Sequence, residues 1–282
     1  MQEYYFLFAM AFLWTVFAVI QDLKNREVAN WLNFSLIAFA LAYRAFYASL
    51  NSNLQFFLLG IFGFAIFFIL AHALYYAKAF AGGDAKLLIA YGSILPYKNY
   101  LSLLYIPLLF TFLLFLIGAV YSILYSSLII AKNRETFNAE FKKRIKKQKY
   151  PLIISLTLFI VSVIYSFYNS KASFFIVITI IPAFYIYIKS VEKCMLKFVA
   201  PNKLTEGDWL EEDVKVGKKI IRKTVHGLSL EEIKLLKKHH KKILIKEGIP
   251  FTPSFLITLI IIVIMVFFSL TSKIPFEPFL PS

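Results

Sequence analysis

Long runs of apolar residues constrain this chain more than any other feature. A membrane-spanning helix needs about 20 mostly apolar residues, and seven segments come close to that length. They are residues 4–20, 31–50, 54–76, 101–130, 152–168, 173–188 and 253–270. An eighth segment, residues 85–95, is too short to cross alone, but it can contribute if its flanking turns are buried in protein. The pattern predicts an all-α polytopic membrane protein with a bundle of about eight transmembrane helices.

Composition excludes the main soluble classes. Of the 282 residues, 60% are hydrophobic, against about 45–50% in soluble domains, so a single soluble core would leave large apolar patches exposed. The same apolar content excludes a disordered chain. Cys194 is the one cysteine, which excludes a disulfide scaffold or a cysteine-rich metal site. We therefore expect no metal and no cofactor.

The distribution of basic residues predicts the topology. If eight helices alternate across the membrane, 27 of the 31 lysines and arginines fall on one side, as the positive-inside rule requires for the cytoplasmic side. That side holds residues 21–30, 78–84, 131–150 and 189–252 together with Lys86 just inside the fourth span. The other four basic residues are Arg44, Lys98, Lys171 and Lys273. Both termini are then outside. The first span carries Glu3 and no basic residue before it, so we do not expect a cleavable signal peptide.

The same distribution explains the net charge of +15. Cytoplasmic basic loops contact anionic membrane lipids, and no motif for nucleic-acid binding stands out, so we expect lipid partners and no nucleic acid. The predicted domains are a transmembrane bundle at residues 1–188, a cytoplasmic insertion at 189–252, and a last helix with a short outer tail at 253–282.

The insertion contains one clear helix pattern. Ser229 and Glu232 have the spacing of a capping box, and apolar residues follow at helical spacing, which predicts an amphipathic helix over about 229–247 that ends before Gly248. Residues 204–214 are predicted as a loop or a short strand. His239 and His240 are adjacent, so they do not share a helix face and are not expected to bind a metal together.

Three acidic residues lie at predicted span boundaries on the basic side, namely Asp22, Glu27 and Asp84. Ionisable groups at such positions are often functional. Asp84 also follows Gly82-Gly83, where an aspartate is a favoured N-cap, so a purely structural role is an open alternative. If Asp22 and Asp84 meet, they can share one proton and perform aspartyl-protease chemistry. Helix dipoles favour Asp84 as the more readily ionised member, although such a pair titrates as a unit.

At these two sites the sequence resembles the type IV prepilin peptidases, and more closely their archaeal preflagellin peptidase relatives. The segment from Asp22 to Leu32 looks like the family's aspartate, basic residues, aliphatic and asparagine pattern, with Arg26 and Asn30 at the matching positions. The segment from Gly82 to Gly92 looks like the family's Gly-x-Gly-Asp motif with its trailing lysine. The first motif glycine is Ala81 here.

The resemblance implies an intramembrane aspartyl endopeptidase of the Gly-x-Gly-Asp type in the cytoplasmic membrane, with its active site facing the cytoplasm. Asp22 and Asp84 would be the catalytic pair. Gly82, Gly83, Lys86, Arg26 and Asn30 would support the motifs or bind substrate. The implied substrates are precursors of the prepilin and preflagellin kind, which carry a basic leader before an apolar helix. With one cysteine, no zinc-binding methylating domain is expected, only peptidase activity.

Two rival functions use the same features. A polytopic transporter or channel can use membrane-edge carboxylates to relay protons or cations, but such groups usually lie near the middle of the bilayer. A membrane anchor for a secretion machine would need Asp84 only as a helix cap. Proteolysis of a precursor by the intact chain distinguishes the peptidase from both.

Overall fold

The computed structural model describes residues 3–77, 79–169, 173–217, 219–224, 227–238 and 242–271. His239, His240, Lys171 and Lys273 lie outside the described residues. The chain divides into two compact units, one of residues 1–122 with 249–282 and the other of residues 123–248. The domain boundaries predicted after residues 188 and 252 stay a prediction.

The described part of the chain is mostly helical, as predicted. Its α-helices are α1 (Glu3–Asn25), α2 (Asn30–Leu50), α3 (Leu54–Tyr76), α4 (Gly82–Gly92), α5 (Ser102–Lys132), α6 (Arg134–Lys147), α7 (Lys149–Ser166), α8 (Ser173–Cys194), α9 (Leu230–Leu236) and α10 (Thr252–Thr271). Five short strands accompany them: β1 (Leu196–Val199), β2 (Trp209–Leu210), β3 (Val214–Val216), β4 (Lys219–Ile221) and β5 (Ile243–Lys246).

Helices α1 to α4, the first part of α5, and α10 form the first unit around one apolar core. Its fully buried side chains include Leu7, Leu36, Phe67, Leu88 and Phe255. The outward face of α2 is equally apolar: Trp31 is 64% exposed and Phe46 is 65% exposed. A helix that is apolar on its outer face is suited to lipid rather than water.

Four of the described helices are long and apolar enough to cross a membrane: α1, α3, α5 and α7. The part of α10 at Thr252–Phe267 is also apolar but shorter. The chain therefore has the character of a multi-pass membrane protein. Each of the eight predicted spans coincides with a helix, but the number that crosses stays a prediction.

Arg44, which is predicted to lie on the side opposite the basic loops, is completely buried inside the first unit. Its Nε donates a hydrogen bond to the Ser93 carbonyl oxygen at 2.7 Å, and its Nη2 donates to the Leu95 carbonyl oxygen at 2.8 Å. Its Nη1 donates to the Phe56 carbonyl oxygen at 2.9 Å. The guanidinium carbon also lies 4.6 Å from the centre of the Phe56 ring. A Cβ on Gly60 would overlap this side chain, so the glycine makes room for it.

The contacts of Arg44 explain how α4 can be short. Its 11 residues rise about 16 Å, roughly half of the ~30 Å hydrocarbon thickness. The carbonyl groups after its last turn have no further helical turn to bond with, and the guanidinium donates to them. On the side of α3, Gly92 and Gly63 allow such close backbone contact that a Cβ on either would overlap the other's carbonyl oxygen.

The second unit contains α6, α7, α8 and the strands. The segment predicted as a basic loop at residues 131–150 forms the helix α6, because lysines, glutamates and arginines are good helix formers when one face is solvated. Strands β1, β5 and β2 form an antiparallel sheet in that order, and β3 pairs with β4. The fold is therefore all-α except in this insertion.

The helix predicted over residues 229–247 is wrong in its second half. Ser229 does form the predicted capping box with Glu232, but α9 ends at Leu236. Residues 243–246 form β5, in which the buried Ile243 and Ile245 alternate with less buried neighbours. Pairing with β1 and β2 supplies hydrogen bonds and a shared core with α9, and that tertiary gain overrides the local helical spacing.

Candidate active site

Asp22 lies in the last turn of α1 and is buried, with 8% of its surface exposed. Its Oδ2 atom accepts two hydrogen bonds from Thr252, the first residue of α10. The Thr252 hydroxyl donates at 2.9 Å and the Thr252 backbone N–H donates at 3.2 Å. The carboxylate therefore faces the positive end of another helix, where a negative charge is favoured.

A tight turn follows Asp22. The Arg26 backbone N–H donates to the Asp22 carbonyl oxygen at 2.9 Å, and Arg26 itself adopts a left-handed conformation with φ of 60°. Glycine usually fills this position after a helix, so an arginine here carries some strain. The Gln21 side chain then accepts the Ala29 backbone N–H at 2.9 Å. These bonds return the chain to the start of α2.

Asp84 is not the N-cap of α4, as the structural alternative required. Helix α4 begins at Gly82 and its N-cap is Ala81, so Asp84 is the third helical residue. An acid at that position can accept the backbone N–H of the N-cap residue, as in a capping box. Ala81 has φ of −73° and ψ of 164°, which any residue adopts, and this explains why alanine can replace the first motif glycine.

The segment that follows Asp22 and the start of α4 contact each other at two points. The ideal Cβ position of Gly83 lies 3.5 Å from Val28 Cβ, so the first turn of α4 packs against the turn after Asp22. One turn along α4, Lys86 Nζ donates a hydrogen bond to Asn30 Oδ1 at 2.6 Å. Of the seven site residues predicted, Lys86 and Asn30 form a direct pair.

Gly82 and Gly83 do not have the unusual backbone that their sequence suggested. Both are helical, and a Cβ on either would meet its nearest neighbours, Tyr75 and Val28, at 3.5 Å or more, which is ordinary contact. The packing within this chain therefore does not require glycine at these positions.

The charges of Asp22 and Asp84 interact. Asp84 lies on the loop side of the predicted span 85–95, and its side chain is half-buried. Burial raises the pKa of Asp84 to about 7, the negative charge of Asp22 adds to that rise, and a hydrogen bond from the Ala81 backbone acts against it. The easy ionisation that the helix dipole suggests for Asp84 is therefore not found, because burial disfavours its charged form.

Sequence reasoning missed Thr252. The residue is 230 positions from Asp22 and opens an apolar helix, where a threonine before a proline is ordinary. Among the described residues, no three His, Cys, Asp or Glu side chains group as a metal site would require.

Comparison with known proteins covers this same region. Residues 9–123 match the Type IV leader peptidase family. The matching region contains both aspartates and all of α2, α3 and α4, whereas α10 lies outside it. This match confirms the resemblance to the family that the two motif segments indicate.

One curated relative supports the same match. A preflagellin peptidase of Methanocaldococcus jannaschii is 29% identical to this chain over 82 residues. The alignment covers 29% of this chain and 35% of that protein. No solved structure matches the chain.

Proposed function

We propose that this chain is an intramembrane aspartyl endopeptidase that removes the basic leader from precursors of the prepilin and preflagellin kind. The observation that supports the proposal is the packing of the segment after Asp22 against the first turns of α4, which carry Asp84, within the region that matches leader peptidases. The name of the Methanocaldococcus relative supports the substrate class. Cleavage would occur at the cytoplasmic boundary of the membrane, with anionic lipids against the basic loops.

The chemistry needs only the two carboxyl groups and a water molecule. One carboxylate takes a proton from water while the water oxygen bonds to the scissile carbonyl carbon. The protonated carboxyl donates its proton to the carbonyl oxygen, which gives a neutral tetrahedral diol. The C–N bond then breaks as the carboxyl that took the water proton gives it to the leaving amine. The other carboxylate takes a proton from a diol hydroxyl as the C=O of the leader's new carboxyl terminus forms, which restores both groups.

The rival function as a proton or cation relay has less support. It requires ionisable groups that continue from the membrane edge toward its middle. Apart from Asp22, the buried charged side chain in the described part of the first unit is Arg44. Its guanidinium donates to four carbonyl oxygens and lies near three aromatic rings. A fixed cation in that position repels a cation and is a poor relay for protons.

The purified chain in liposomes tests the proposal. A synthetic precursor with a basic leader and an apolar helix should be cut once, at the junction, and mass spectrometry of the two products locates the bond. A chelator should leave the rate unchanged. An intact precursor combined with proton or cation flux across the same liposomes would favour the rival function.

The pH dependence of cleavage follows from the raised pKa of Asp84. The active form needs that carboxyl protonated, so activity is present below its pKa and is lost as the pH rises through about 7. We expect kcat/KM to fall about tenfold for each further pH unit. The measurement is initial cleavage rate in liposomes from about pH 5 to about pH 9, and a rate that stays level to the upper limit contradicts this assignment.

A further inference from the structure

The start of α10 contacts Asp22 and also Phe80, which precedes Asp84 in the chain. On one side, Thr252 donates its hydroxyl and its backbone N–H to Asp22. Thr252 is fully buried, so water does not compete for these bonds. A carboxylate that accepts two such bonds is fixed in orientation and favoured in its charged form.

On its other side, the same turn packs against the residues that lead into α4. The ring centre of Phe251 lies 5.5 Å from that of Phe80, and Phe255 lies 6.1 Å from Phe80. Phe80 is four residues before Asp84. Gly118 on α5 makes room for Phe251, because a Cβ there would overlap the ring. One helix terminus therefore positions the end of α1 and the beginning of α4.

The hydroxyl and the backbone N–H of Thr252 give the two aspartates different roles. Both bonds go to Oδ2 of Asp22, so a proton taken from water would be accepted by Oδ1. We infer that Thr252 is a positioning residue of the catalytic centre, whose hydroxyl and backbone N–H hold Asp22 as the carboxylate that accepts the proton of the attacking water. Asp84 is then the proton donor to the peptide carbonyl.

The inference rests on the proposed function and extends it beyond the matched region. Residues 9–123 contain both aspartates, but the group that orients one of them comes from α10. A fragment equivalent to the matched region would have both carboxyl groups and still lack the hydrogen bonds that assign their roles.

Three variants test the inference in full-length protein. Thr252→Val removes the hydroxyl while it keeps the shape and the backbone N–H, and Thr252→Ser keeps the hydroxyl. Thr258→Val is the matched control, because the buried Thr258 hydroxyl donates only within α10, to the Ser254 carbonyl oxygen at 2.7 Å. Cleavage is measured against pH for each variant, with kcat and KM separated.

We expect Thr252→Val to lower kcat by about 10-fold or more with KM little changed. The acid limb of its pH profile is the fall in activity at low pH, where the carboxylate that accepts the water proton becomes protonated. This limb should move to higher pH by about one pH unit, the amount that one lost charge-assisted hydrogen bond supplies. Thr252→Ser should restore most of both, and Thr258→Val should behave as the wild type. A merely structural role would lower the amount of folded protein without moving the acid limb.

The outcomes separate this inference from the proposed function. If the wild type cuts the precursor and Thr252→Val has the same rate and pH profile, the inference is overturned and the peptidase remains. If the wild type does not cut the precursor, the peptidase is overturned, and the catalytic role of Thr252 is overturned with it. If the wild type cuts, infrared titration of the Asp22 carboxylate in an Asp84→Asn background is the second test, and an identical titration with Thr252 and with valine overturns the inference.

Discussion

Replacing Asp84 with asparagine should lower the rate of precursor cleavage by about 10²–10⁴-fold, the range that one acid–base group contributes. Asparagine has nearly the same shape, but it cannot carry and release the shared proton. The measurement is the initial cleavage rate in liposomes at a pH below about 7, where Asp84 is protonated in the wild type.

Glu27→Gln is the matched control for this prediction. Glu27 is exposed in the turn that follows α1, so it is an acid at the same membrane boundary without the burial of the proposed pair. Its replacement should leave the rate within about twofold, as for a solvated surface charge. Wild-type activity in Asp84→Asn would contradict the account, and so would an equal loss in both variants.

Replacing Arg44 with methionine should destabilise the first unit more than any other single change that we predict. The carbonyl oxygens of Ser93, Leu95 and Phe56 would each lose one hydrogen bond. The Leu95 oxygen would keep the bond from the Tyr97 backbone N–H, whereas a buried carbonyl left without a donor costs about 1–3 kcal/mol. Together with the lost packing around the guanidinium, this is a large part of the stability of an ordinary protein, about 5–15 kcal/mol. We expect most of the variant to be unfolded or to lose α4 from its native position.

Thermal unfolding in nanodiscs measures this effect. Lys98→Met is the matched control, because Lys98 is an exposed cation just beyond the same end of α4. Gly60→Ala should resemble the Arg44 variant, since a Cβ there overlaps the arginine side chain. Equal melting temperatures for Arg44→Met and Lys98→Met would show that the guanidinium does not hold this end of the helix.

The helices of the first unit could be predicted well from the sequence, because their apolar runs depend on the solvent rather than on a partner. The two motif segments lie at the boundaries of such runs, within the region that matches the leader peptidase family. Asp84 was misjudged locally as a possible N-cap. An N-cap at Asp84 would start the helix at Ala85, but α4 starts three residues before that, at Gly82. Ala81 has the extended backbone of the N-cap.

The partners of Arg44 and Asp22 could not be predicted, because each depends on contacts between distant segments. In the sequence, Arg44 is simply a basic residue away from the basic loops. The positions of the Phe56, Ser93 and Leu95 carbonyl groups show that it is a buried hydrogen-bond donor. Thr252 has no local pattern that distinguishes it from other residues at a helix start. The strand at 243–246 was missed for a related reason, since its hydrogen-bonding partners lie about 35–50 residues earlier in the chain.

The central claim is that Asp22 and Asp84 act as one catalytic unit. The most direct test is the single-turnover cleavage rate of four proteins: the wild type, Asp22→Asn, Asp84→Asn and the double variant. Residues that act as a unit are strongly non-additive. We therefore predict a large loss in each single variant and no further loss in the double variant. Wild-type cleavage by either single variant, or a double variant whose loss is the product of the two single losses, would contradict the claim.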